Sequence, residues 1–76
     1  MADSQTKAVL RVLGRGREPQ VAQRVMRIFG ASSLEQCLET YDMVGAAERA
    51  TLDEAVKRIT ADASAAFQLS VENEAR

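Results

Sequence analysis

The segment PQVAQRVMRIFG, residues 19–30, limits this chain more than any other stretch. A proline opens it, and Val21, Ala22, Val25, Met26 and Phe29 recur through it at helical spacing before a glycine ends it. Proline suits the first turn of a helix, where its missing N–H would have no partner, and glycine suits the left-handed cap at the far end. A strand needs alternation with a period of two, and no run of useful length here has it. The chain is therefore built from helices. Arg24 and Arg27 fall off the apolar stripe of this one.

The same reasoning predicts the neighbours. Ala8, Val9, Val12 and Leu13 mark a first helix over residues 4–13, with Gly14 as its stop. Ser32-x-x-Glu35 has capping-box spacing, and Leu34, Cys37, Leu38 and Tyr41 give the third helix its buried face. The run DMVG then breaks the pattern, and AAERA adds one turn. Thr51-x-x-Glu54 is a second capping-box match, with Asp53 and Glu54 suited to the positive end of a helix dipole. From there Leu52, Ala55, Val56, Ile59, Ala63, Ala66 and Phe67 hold one face for about four turns. The expected fold is all-α: a compact bundle of about four helices with a longer C-terminal one. It forms a single domain across residues 1–76, with residues 1–5 and 71–76 frayed.

Size decides what such a bundle can bury. A chain of 76 residues removes only ~60% of its unfolded surface from water on folding. The apolar fraction is 46%, but much of it is alanine, and there are two Phe, one Tyr and no Trp to consolidate a core. Cores this thin often supply ~3–5 kcal/mol, and small domains supplement them by association. The sequence therefore predicts that Leu52, Val56, Ile59 and Phe67, flanked by alanines that permit close approach, meet a second copy or a partner helix.

Little in the chain suggests bond-making chemistry. His is absent and Cys is single, so the commonest zinc ligand, the usual general base and an internal disulfide are all missing. Cys37 lies on an apolar face rather than in the positive, exposed setting of a nucleophile. The paired Asp53 and Glu54 read as helix-start residues rather than an acid–base pair. These features imply a protein that is not an enzyme and takes no cofactor, metal or small-molecule substrate. No apolar run is long enough to span a membrane, and MADSQTK lacks the regions of a signal peptide, so a cytoplasmic protein is expected.

Charge divides the chain. Residues 1–30 hold six basic side chains against two acidic, and residues 31–76 hold four against nine, for a net charge of −1. Such asymmetry suits two faces with different partners, or head-to-tail attraction between copies. Arg15, Arg17, Arg24 and Arg27 are the predicted partner-binding residues, because arginine pairs bidentately with carboxylates and is enriched at interface hot spots. With Arg11 they also offer an alternative, sequence-independent binding of nucleic-acid phosphates. Gly14-Arg15-Gly16-Arg17, running into a helix start at Pro19, fits either an anion-binding nest or a soluble connector. G-x-G alone does not separate the two.

The stretch AQRVMRIFGASSLEQCLET, residues 22–40, resembles the first half of helix-hairpin-helix domains of DNA-repair proteins. There too a helix ends in Phe-Gly and a Ser-Leu-containing helix follows. The preceding AVLRVLGRGREPQ is similar to the N-terminal region of RadC-type proteins. The likeness covers residues 8–40 and implies a compact, helix-hairpin-helix-like fold. In that family a later Gly-hydrophobic-Gly hairpin presents backbone amides to a DNA phosphate. Here the corresponding residues are Met43-Val44-Gly45-Ala46-Ala47, with one glycine and the acidic neighbours Asp42 and Glu48. The resemblance thus implies the fold and leaves out the residues on which DNA binding would rest.

Overall fold

A computed structural model describes residues 5–75. Among them the chain forms five helices: α1 (Gln5–Leu13), α2 (Pro19–Phe29), α3 (Leu34–Met43), α4 (Ala46–Ala61) and α5 (Ala65–Ala75). The protein is an all-α bundle, and α1 is its centre. Thr6, Ala8, Val9, Leu10, Val12 and Leu13 are all buried, and α1 packs against each of the other four helices. A helix buried over so much of its surface is wrapped by its neighbours rather than laid on them. No helix among the described residues is long and apolar enough to cross a membrane.

The helix ends follow from local chemistry. Pro19 stands in the first turn of α2, and Gly30 closes it in the left-handed conformation at φ 65°. The Gly30 amide donates to the Arg27 carbonyl and the Ala31 amide to that of Met26, the paired bonds of a Schellman cap. The cap of α3 lies one residue past the predicted box. Ser33 Oγ accepts the Gln36 amide at 3.1 Å, and Gln36 Oε1 accepts both the amide and the hydroxyl of Ser32, each at 2.9 Å. Gln36 thus takes the part expected of Glu35. The stop after α1 also shifts: Gly14 continues the turn, and Gly16 is the glycine with positive φ, at 86°.

The largest departure is in the second half. Thr51 does not start a helix; it sits inside α4, its hydroxyl donating to the Ala47 carbonyl at 3.3 Å. AAERA is the first part of α4 rather than a separate turn, and Gly45 precedes it as N-cap. The predicted long C-terminal helix is broken between Asp62 and Ser64. Ser64 then opens α5, with its Oγ accepting the Phe67 amide at 3.2 Å. Gln68 Nε2 ties the break shut by donating to the carbonyls of Ala61 and Ala63, at 3.2 and 3.0 Å. Residues 71–75, expected to fray, are helical because Val71 is fully buried with Phe67 against the core. Residues 1–4 and 76 lie outside the described ones.

That break overturns the predicted association stripe. Leu52, Val56, Ile59 and Phe67 are all buried within one chain, none more than 9% exposed. Folding α5 back beneath α1 supplies the cover that the sequence assigned to a partner. Cys37 is likewise fully buried, and desolvation raises its pKa. Its thiol stays protonated and shielded, so a disulfide reagent should react with native protein far more slowly than with protein in denaturing urea. Equal rates in the two conditions would show the site to be open.

Asp53 is a polar node rather than a cap. Its Oδ1 accepts the Thr6 hydroxyl at 2.6 Å and the Tyr41 hydroxyl at 2.7 Å, joining α1, α3 and α4 at one oxygen. Both donors are buried, and both lose this bond in Asp53→Ala. Leaving the buried Thr6 hydroxyl unpaired costs about 1–3 kcal/mol, so the substitution should lower unfolding free energy by about that much in a urea titration. Asp53→Asn, which keeps an acceptor, should lose less. Equal losses for the two would assign the effect to charge instead.

Candidate protein-docking groove

α2 and α4 pack side by side and leave an open trough of about 540 Å³ between them. Six residues line it: Arg24, Arg27 and Ile28 from α2, and Ala55, Arg58 and Ile59 from α4. The helical repeat builds it. Arg24, Arg27 and Ile28 stand at i, i+3 and i+4, and so do Ala55, Arg58 and Ile59, so each helix presents one turn-length ridge to the other. Ile59 is buried beneath, while Ile28 is 37% exposed at the edge. The result is an apolar floor rimmed by three guanidiniums.

None of those three arginines has an ion-pair or hydrogen-bond partner among the described residues, whereas other basic side chains do. Lys7 pairs with Asp42 at 3.1 Å. Arg15 pairs with Glu74, fastening the α1–α2 loop to α5. Arg49 is spent inside the fold: its guanidinium donates to the carbonyls of Tyr41 and Val44 at 3.1 Å each, and lies 5.3 Å from the Tyr41 ring centroid. It thereby caps the C-terminal end of α3 and stiffens the α3–α4 connection. Even Glu54, one turn before Arg58, makes no ion pair with it. Three like charges converge on the groove without neutralisation.

Of the four predicted arginines, the fold brings two together. Arg24 and Arg27 share the groove. Arg15 is engaged by Glu74, and Arg17 lines a separate cleft of about 190 Å³ with Val12, Glu18, Ala66, Phe67 and Ser70. Arg58 replaces them, a residue that the division of charge along the chain could not suggest, because it lies in the acidic half. Its signal was there nonetheless: Arg58 precedes Ile59 as Arg27 precedes Ile28.

The Gly14–Arg17 loop does not present three successive free amides. The amides of Gly14, Arg15 and Gly16, which a nest would turn towards an anion, donate instead to the carbonyls of Leu10, Val12 and Leu13 at 3.0–3.1 Å. Another cleft, of about 210 Å³, lies between α1 and α4 beside Thr6, Asp53, Lys57 and Thr60. Its buried hydroxyls are already paired, Thr6 with Asp53 and Thr60 with the Val56 carbonyl. No group of His, Cys, Asp and Glu among the described residues could hold a metal ion.

No protein-family model, curated protein or solved structure matches the chain.

Proposed function

We propose that this protein is a non-enzymatic interaction module, a small accessory or inhibitory unit that docks on a larger protein assembly through the α2–α4 groove. The observation that carries this reading is the set of three unpartnered guanidiniums around an apolar floor. Nothing in that lining is a nucleophile or a general base. It is instead suited to recognition: arginine forks pair with carboxylates while their stems and the isoleucines cover apolar surface. The matching ligand is an acidic protein segment carrying at least one large apolar side chain.

The alternative is phosphate-backbone binding by the same arginines. The two readings separate in a titration of labelled probes into the native protein. One probe is a helical peptide with leucine flanked by glutamates, and the other a short DNA duplex. Peptide binding that loses most but not all of its strength with salt supports the docking reading, since the apolar floor is indifferent to ions. Duplex binding falling with a log–log slope of about −0.9 per phosphate contact, with no peptide binding, would replace it with the nucleic-acid reading.

A further inference from the structure

The molecule carries its own candidate ligand for the groove. α3 has the sequence LEQCLETYDM, without a single basic residue. Glu35, Glu39 and Met43 lie at i, i+4 and i+8, one stripe along the outer side of the helix. Met43 is 83% exposed, the most exposed large hydrophobic side chain among the described residues. Neither Glu35 nor Glu39 has an ion-pair partner among them, while the adjacent Asp42 is taken by Lys7. The surface is an acidic ridge ending in a flexible apolar tip. α5 offers a poorer version, with Leu69 59% exposed but Glu74 already held by Arg15.

We infer that the α2–α4 groove of one molecule receives the Glu35–Glu39–Met43 ridge of α3 from a second copy. This rests on the groove being a docking site, as proposed above, and names its occupant. The two surfaces are complementary in each respect on which such contacts depend. The groove holds three unpaired cations and no acid, and the ridge holds two unpaired carboxylates and no base. Desolvated arginine–carboxylate pairs form where each charge would otherwise face its like. The methionine thioether, unbranched and polarisable, fits an irregular floor such as that between Ile28, Ala55 and Ile59.

No residue belongs to both surfaces. The contact can then repeat head to tail, each bound copy presenting a free groove at one end and a free ridge at the other, or close reciprocally into a two-fold dimer in which both pairs of surfaces meet. Association grows with concentration in either case, to a dimer where the contact is reciprocal and to short chains or a ring where it is not. The long-standing difference in charge between the two parts of the chain becomes the source of its polarity.

Sedimentation velocity over a concentration series tests this with two surface variants, each checked for retained helicity by circular dichroism. Arg24→Ala/Arg27→Ala disables the groove, and Glu39→Ala/Met43→Ala disables the ridge. The wild type should sediment faster as concentration rises, and each variant alone should remain a monomer. Mixed in equal amounts, the variants should form a one-to-one dimer and nothing larger, because only one intact groove meets one intact ridge. A wild type that stays monomeric throughout, or variants that associate as the wild type does, overturns the inference. If the wild type is monomeric yet binds the leucine–glutamate peptide, the groove is a docking site for something other than α3. Failure of both removes the groove reading as well.

Discussion

Phe67→Ala should unfold much of the population. Phe67 is 3% exposed and, with Val71, presses α5 onto the central helix. Replacing a buried phenylalanine by alanine costs about 3–5 kcal/mol, through lost transfer free energy and the cavity left behind. A domain of this size sits near the lower end of the usual 5–15 kcal/mol range, so little stability would remain. A urea titration followed by circular dichroism reads the change, with Leu69→Ala as the comparison. Leu69 is well exposed on the same helix, and its loss should stay within about 0.5 kcal/mol. A folded Phe67→Ala protein that had merely lost association would return Phe67 to the partner-facing role expected from the sequence. A loss below about 1 kcal/mol would mean that α5 is not packed as described.

The second large effect is on binding without a matching change in stability. Truncating an arginine at the centre of an interface typically costs ~2 kcal/mol or more, roughly thirtyfold in affinity. Arg24, Arg27 and Arg58 hold nothing else in place, so the triple alanine variant should lose the acidic peptide by more than about a hundredfold, allowing for non-additivity. Its thermal midpoint should barely move, or rise slightly as three converging like charges are relieved. Calorimetric titration and a thermal melt of the same samples provide both readings. Arg17→Ala is the control, because Arg17 lines a different cleft. If Arg17→Ala weakens binding as much as Arg27→Ala, recognition lies at the α1–α2 loop and not between α2 and α4.

The contrast between α2 and the α4–α5 region shows what periodicity can and cannot reveal. α2 is legible end to end because its signals are local: Pro19 at the start, Gly30 at the stop and a stripe between. The α4–α5 break is hidden because Ile59, Ala63, Ala66 and Phe67 keep helical spacing straight through it, with no glycine or proline to mark the interruption. The only local cue is Ser64, a good N-cap residue three positions before Phe67, and a serine at that point is equally at home on an exposed helix face. Burial of the stripe then depended on where α5 went, which is a tertiary fact.

The site divides in the same way. Arg24 and Arg27 were readable as a pair because i, i+3 spacing fixes them side by side on one helix. Arg58 comes from a helix distant in sequence, where its likeness to Arg27 says nothing of the two meeting, and Arg15 drops out because Glu74 reaches it from α5. The Asp53 node is another case. A carboxylate beside Glu54 near an apparent capping box looks like a dipole partner, and only the approach of Thr6 and Tyr41 from two other helices gives it a different task.

The position of α1 at the centre of the bundle has a consequence for how the chain is made. α1 is synthesised early, and its principal cover, α5, comes last among the described helices. Until Phe67 and Val71 have emerged from the ribosome, Val9, Leu10 and Leu13 have no complete enclosure. A nascent chain halted at the end of α4 therefore exposes the apolar face of the first helix, formed by Ala8, Val9, Leu10, Val12 and Leu13, the kind of segment that chaperones hold and that drives aggregation when they do not. Folding has to wait for the joining of distant elements rather than proceed helix by helix, so a nonsense codon anywhere before Phe67 should yield not a smaller bundle but a polypeptide bound for proteolysis.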